Sequence, residues 1–332
     1  MKRFCIRLLH GISLLFILTS QASADTAEKL DKLVLAGPFA AVSNPLIRMV
    51  ESGALSDVAE QVEFKVWQNP DQMRALALNG ETDFIASPTN VMANLYNRGV
   101  DLQLLNVSVW GVLWMISRDP ELKTLRDFRG KEIAMPFRGD MPDLVFNALI
   151  EHQGLDAKED FSLRYVATPL DAMQLLIMRR VDHALLAEPA ASMALRNTQS
   201  MPVKLIAPDL HRSVDLQQEW GRVLKREARI PQAGIALLNR QLPPEIVERF
   251  MQEYEKATQW CLENPSAAGH LVAKHIDMLT PEAVADSIAV SQLMHVSADE
   301  AKEELTFFFD LLHQRTPALI GGKLPDSGFY YP

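Results

Sequence analysis

Three short stretches hold the side chains of this 332-residue chain that are best suited to grip a small molecule. They are 38–44, with Phe39 and Ser43; 87–90, with Ser87 and Thr89; and 137–143, with Arg138, Asp140 and Asp143. Each lies between an apolar run and a helical pattern. Open α/β sheets bind ligands at that position, outside the carboxyl ends of the strands. A helix starting there offers unpaired N–H groups and a partial positive charge, which suit a carboxylate, sulfonate or phosphate. Ser87 and Thr89 can add hydroxyl donors. Taken singly, Ser43, Ser87 and Thr89 read as helix caps, the commoner use of such residues. Taken together, the three loops read as the walls of a cleft.

The charges and aromatics refine this picture. Arg138 can hold an anion with its planar fork. Asp140, Asp143 and Glu188 repel an anion unless they are paired or only cap helices. If all of them face the cleft, a zwitterion or an amine-bearing heterocycle fits better than a simple anion. Phe39, Trp67, Trp110, Trp114 and Phe137 fall near strand ends. At least half should be core, and the rest should line an apolar pocket. Trp110 is the preferred wall residue, because Gly111 beside it suggests a bend.

Positioning these groups requires alternating strands and helices, which is the pattern of an α/β fold. Lys32–Gly37, Val62–Trp67 and Asp83–Ala86 read as strands, with helices after Ser43, Pro70 and Ser87. Leu102–Ser117 is a long apolar stretch that reads as two strands, or one bent strand, broken near Trp110–Gly111. It is the candidate crossing from a first lobe to a second. Lys131–Met135, Ser162–Val166, Ala184–Ala187 and Val203–Ala207 read as strands of the second lobe, and Gln232–Leu238 returns the chain to the first. The remainder is mostly helix. The division is 1–24 leader, 25–116 with 232–332 as lobe I, and 117–231 as lobe II.

The leader has three parts. Lys2, Arg3 and Arg7 are basic, Ile12–Leu18 is apolar, and Ala22-Ser23-Ala24 is a small-x-small cleavage signal. The apolar part falls short of the roughly 20 residues that span a bilayer. Removing the leader takes away three positive charges, so the net charge of −9 becomes more acidic still. Such a chain has no electrostatic case for nucleic acid or anionic lipid. Cys5 would leave with the leader, so Cys261 stands alone, no internal disulfide forms, and it reads as a small buried hydrophobe. Neither Gly-x-Gly-x-x-Gly nor Gly-x-Ser-x-Gly occurs, the histidines are scattered, and no cofactor or metal is expected.

Several phrases resemble the nitrate/sulfonate/taurine-type periplasmic substrate-binding proteins of ABC importers. They are KLVLAGP at 32–38, GETDFIASPTNVMANLY at 80–96, LKTLRDFRGKEIAMPFRGD at 122–140, VDHALLAEPAASMAL at 181–195 and GGKLPDSGFYY at 321–331. The resemblance implies a type II periplasmic-binding-protein fold, two α/β lobes joined by two crossing strands. It implies a non-catalytic, monomeric receptor that hands a small zwitterionic, heterocyclic or sulfonate-like ligand to an inner-membrane ABC permease. Carried over by position, it makes Phe39, Ser87, Thr89, Arg138, Gly139, Asp140 and Glu188 cleft residues. The 136–143 loop departs from the family's Gly/Ser-rich form, which counts against sulfonate or nitrate. Enzymes resembling a thiamine-pyrimidine synthase or a menaquinone-pathway dehydratase share the fold, but the leader and the missing His/Cys cluster argue against them. A ligand-binding partner of a sensor kinase is the remaining alternative.

Overall fold

The structure is a computed structural model that describes residues 29–199, 201 and 209–332. The leader and the expected strand Val203–Ala207 lie outside the described residues.

The chain forms two mixed sheets. In the first, β1 (Leu30–Pro38), β2 (Ala59–Trp67) and β3 (Phe84–Pro88) are joined by α1 (Asn44–Ser52) and α2 (Pro70–Leu78). After α3 (Thr89–Asn97), β4 (Gln103–Gly111) completes this passage, and β5 (Leu113–Ser117) enters the second sheet. There β6 (Glu132–Pro136), α4 (Met141–His152), β7 (Ser162–Val166), α5 (Pro169–Ile177), β8 (His183–Ala187), α6 (Ala190–Gln199), β9 (His211–Asp215) and α7 (Leu216–Leu224) follow. The chain returns to the first sheet through β10 (Ala233–Leu237). It ends with α8 (Pro244–Glu263), α9 (Pro265–His275), α10 (Pro281–Val290), β11 (Gln292–Ser297) and α11 (Lys302–Arg315).

The two sheets repeat one plan. The first has the order β11-β4-β10-β3-β1-β2, and the second β7-β6-β8-β5-β9. Parallel pairing of β2-β1-β3 and of β7-β6-β8 gives way to an antiparallel neighbour, β10 in one case and β5 in the other. Parallel strands covered by helices on both faces must be apolar throughout. Accordingly Leu33–Pro38 of β1 is buried without interruption. Proline sets the first turn of several helices, where its missing N–H does no harm. Asn69 caps α2 by accepting the Gln72 N–H at 3.0 Å, and Thr168 and Asp171 form a reciprocal box at the start of α5.

The crossing between sheets is sharper than the sequence suggests. It falls at Val112, so Leu113–Ser117 belongs to the second sheet rather than the first. Two glutamines hold it. Gln217 of α7 accepts from Leu113 N at 3.0 Å and donates to Leu113 O, while Gln232 accepts from Val112 N at 3.1 Å. The return segment is laced to the outgoing strand by Ile230 N–H to Trp110 O and Gln232 N–H to Val109 O. Gly111 is required here, since a Cβ would come within 2.5 Å of the Gln217 side chain.

The C-terminal helices close the core. Phe84 of β3 stacks on Phe250 of α8 at 3.8 Å between ring centres. Trp220 of α7 meets Phe307 and Phe308 of α11 edge-on. Cys261 is buried, and burial pushes its thiol up to about 12, as suits an inert core residue.

Candidate ligand-binding cleft

A cavity of about 480 Å³ opens where the carboxyl ends of the two parallel strand sets face each other. The first sheet supplies Pro38 and Phe39 after β1, Trp67 at the end of β2, and Ser87 and Pro88 at the end of β3. The second supplies Phe137 after β6, Thr168–Leu170 at the start of α5, and Ala187 at the end of β8. Val112 and Gln232 of the crossings form its floor. The walls are largely apolar, with Phe39, Trp67, Met73, Val91, Phe137 and Leu170 among them. The Trp67 indole is fixed by a hydrogen bond to Ala86 O at 3.1 Å. Residues 275–278, at the end of α9, complete the rim.

The polar groups of the cavity are few. Ser87 is 1 % exposed and Gln232 2 %, yet Ser87 Oγ and Gln232 Nε2 have no hydrogen-bond partner. Gln232 Oε1 is committed to Val112 N–H, which fixes the amide orientation and leaves the nitrogen as the free end. Asp140 sits half-buried at the mouth and caps α4 through Met141 N–H at 2.9 Å. Burial pushes its carboxyl above the ordinary carboxylate range, against the lowering influence of Met141 N–H, Arg74 and Asn90. Arg74 and Asn90 belong to the first lobe, so their influence on Asp140 reaches across the cleft. A second cavity of about 320 Å³, lined by Arg74, Asn90, Arg98 and Gly139 among others, adjoins the first at Val91 and Asp140. No cluster of three metal-ligating side chains exists among the described residues.

No protein-family model matches the chain, and no curated protein matches it. Solved structures do. An ABC transporter protein from Parabacteroides distasonis is similar with a TM-score of 0.73 at 24 % identity, over 91 % of this chain and 99 % of that one. The periplasmic aliphatic sulphonate binding protein SsuA from Escherichia coli is similar with a TM-score of 0.68 at 14 % identity, over 91 % and 92 %. The periplasmic nitrate-binding protein NrtA from Synechocystis PCC 6803 gives 0.67 at 16 %, over 90 % and 83 %. The chain has the fold of these periplasmic binding proteins.

Within that fold, the residues singled out from sequence divide. Phe39, Ser87 and Asp140 line the larger cavity, and Gly139 and Asp140 line the smaller one. Four line neither cavity. Trp110 is 1 % exposed and turned into the core, its indole bonded to Val107 O and Met294 O. Strand alternation explains this: Val109 faces the cavity, so its neighbour faces the opposite side of β4. Thr89 is fully buried and donates to Pro231 O at 2.6 Å, holding the return crossing against α3. Arg138 is exposed, with its guanidinium 4.8 Å from the Tyr165 ring centre. Glu188 is buried beneath the cleft, accepting from Ser192 N and Oγ and paired with Arg212 at 2.7 Å.

The expected caps are also corrected. Ser43 Oγ donates to Pro38 O instead of capping α1, Thr89 lies inside its helix, and Ser87 Oγ caps nothing. Asp143 is turned inward. Its carboxylate accepts from Gly139 N–H, Asn147 and Tyr165, which braces the 137–140 loop. Sequence reasoning missed Gln232, a buried polar residue of the cavity lining. It stands at the start of a strand that was recognised, but a lone glutamine before an apolar run gives no local signal of burial.

Proposed function

We propose that the protein is the ligand-capturing component of an ABC importer, working in the periplasm and delivering a small organic molecule to an inner-membrane permease. The observation that carries this reading is one cavity drawn from both lobes directly above two crossing segments. Such a site closes by a hinge, because rotation at Val112 and at 230–232 changes the distance between its walls. The leader read at 1–24 supports export. Among the described residues no helix is long and apolar enough to cross a membrane. The reading makes the protein a monomer without catalytic residues.

The test is native mass spectrometry of protein recovered from the periplasm, followed by thermal melts with the co-purified compound. Ligand at one hundred times its Kd should stabilise by about 2.7 kcal/mol, a shift of several degrees. Retention in the cytoplasm with an intact leader, together with no stabilisation by any compound of a broad metabolite panel, would refute the proposal.

A further inference from the structure

We propose that the cleft selects a neutral, largely apolar molecule that presents a hydrogen-bond acceptor to Ser87 and Gln232, and that it discriminates against oxyanions. This deepens the receptor reading and rests on it.

The first argument is electrostatic. No lysine or arginine lines the larger cavity, whose charged or titratable groups are Asp140, Asp277 and His275. His275 is paired with Glu51 at 2.7 Å. The nearby arginines are engaged outside it: Arg74 with Asp71, Arg138 over Tyr165, and Arg212 with Glu188. An anion entering this space gives up its hydration and meets carboxylates instead of a cation, which is strongly unfavourable.

The second argument concerns the helix starts, where an oxyanion would otherwise bind. At α3 the Thr89 N–H is already bonded to Gln232 O at 3.1 Å. At α4 the Met141 N–H is bonded to the Asp140 carboxylate, an anion supplied by the chain itself. Both of these leading N–H groups therefore have internal acceptors.

The third argument comes from the unpartnered atoms. A buried donor without an acceptor is costly and rare in folded proteins. Gln232 Nε2 can only donate, and Ser87 Oγ can donate as well. Ser87 pairs with Gly234 across β3 and β10, and Gln232 lies two residues before Gly234, immediately ahead of β10. Both atoms are shielded in this structure, so a carbonyl or ring-nitrogen acceptor would engage them as the side chains turn toward the cavity, while the apolar walls enclose the rest of the molecule. Gln232 also holds Val112 at the crossing, so the same amide touches the ligand and the hinge.

Two dyes of similar size separate the alternatives: prodan, a neutral naphthyl ketone, and anilinonaphthalene sulfonate. Both are titrated into the full-length processed protein, with ethanesulfonate and nitrate as competitors. Prodan should bind one site with blue-shifted emission, at least tenfold more tightly than the sulfonate dye, and neither anion should displace it. Ser87→Ala should weaken prodan roughly threefold to tenfold, the worth of one neutral hydrogen bond. Gln232→Glu keeps an acceptor for Val112 N–H, loses the free donor, and should weaken prodan at least as much. Displacement by ethanesulfonate or nitrate, tighter binding of the sulfonate dye, or unchanged prodan affinity in both variants overturns the proposal. A charged ligand found by native mass spectrometry overturns the ligand class but leaves the receptor reading standing. Failure of both dyes and of every metabolite overturns the two together.

Discussion

Arg212→Met gives a strong test of the assignment of Glu188 to the framework rather than to the ligand. The Glu188 side chain is fully buried and that of Arg212 is 21 % exposed. The guanidinium reaches Glu188 Oε1 through Nε at 3.2 Å and Nη2 at 2.7 Å, and also donates to Ser192 Oγ at 2.7 Å. Removing it leaves a buried carboxylate supported only by Ser192. Breaking one side of a buried ion pair costs about 3–5 kcal/mol, because the survivor keeps its desolvation penalty. The double variant Glu188→Gln with Arg212→Met removes that stranded charge and should cost well under the sum of the single changes. Urea unfolding followed by tryptophan fluorescence measures all four corners of the cycle. Because neither residue lines the cavity, prodan affinity of the folded single variant should stay within about twofold of the parent, an effect under 0.5 kcal/mol. A loss below about 1 kcal/mol, strict additivity, or a collapse of binding in a folded variant would refute the reasoning.

Three further changes probe other parts. Trp110→Ala empties a core site rather than a binding wall and should cost about 3–5 kcal/mol in denaturant unfolding, with no selective loss of ligand in whatever remains folded. Gly111→Ala forces a Cβ against Gln217 Cγ and should displace the Gln217–Leu113 bridge, destabilising by about 1–3 kcal/mol in the same assay. Asp140→Asn keeps a capping oxygen while removing a carboxyl that burial pushes upward. A raised carboxyl binds its proton more tightly folded than unfolded, so its stabilising contribution is full below the ordinary value of 3.8 and is lost as pH rises through the raised one. The asparagine variant should therefore melt higher than the parent at neutral pH, with the gain fading as pH falls toward 3.8; a gain independent of pH would count against the assignment.

Much of the fold was legible because its signals are local. The central strands β1, β3, β6 and β8 are buried apolar runs, and such runs announce themselves. The break at Gly111 announced the crossing. Strands β9 and β11 were not legible. His211–Asp215 and Gln292–Ser297 lie at sheet edges, are only partly buried, and carry polar residues that their outer faces tolerate. The site was half legible for a related reason. Loops after parallel strands can be located from the strand pattern, which found Phe39, Ser87 and Asp140. Which way a side chain faces depends on a one-residue register, which placed Trp110 in the core and Val109 at the cavity. Pairings distant in sequence, such as Glu188 with Arg212, leave no mark in a local window.

The shared topology and the ligand chemistry are set by different residues. Parallel strands ending at a common edge create a cleft whatever the side chains are, which is why proteins described as binding sulphonate or nitrate have this fold at 14 % and 16 % identity. What the cleft accepts depends on a handful of atoms at the strand ends. Here two leading helix N–H groups already have acceptors, at Thr89 and Met141, and the cations nearby are held outside the cavity. What lines the cavity is a largely apolar shell that includes Ser87 and Gln232, with Asp140, Asp277 and His275 as its charged or titratable members. Since Gln232 joins the return crossing to Val112, under the proposed receptor function an acceptor that fixes its amide nitrogen would also restrain that crossing. Binding and closure would then draw on one side chain, and a variant that frees Gln232 from Val112 should loosen both.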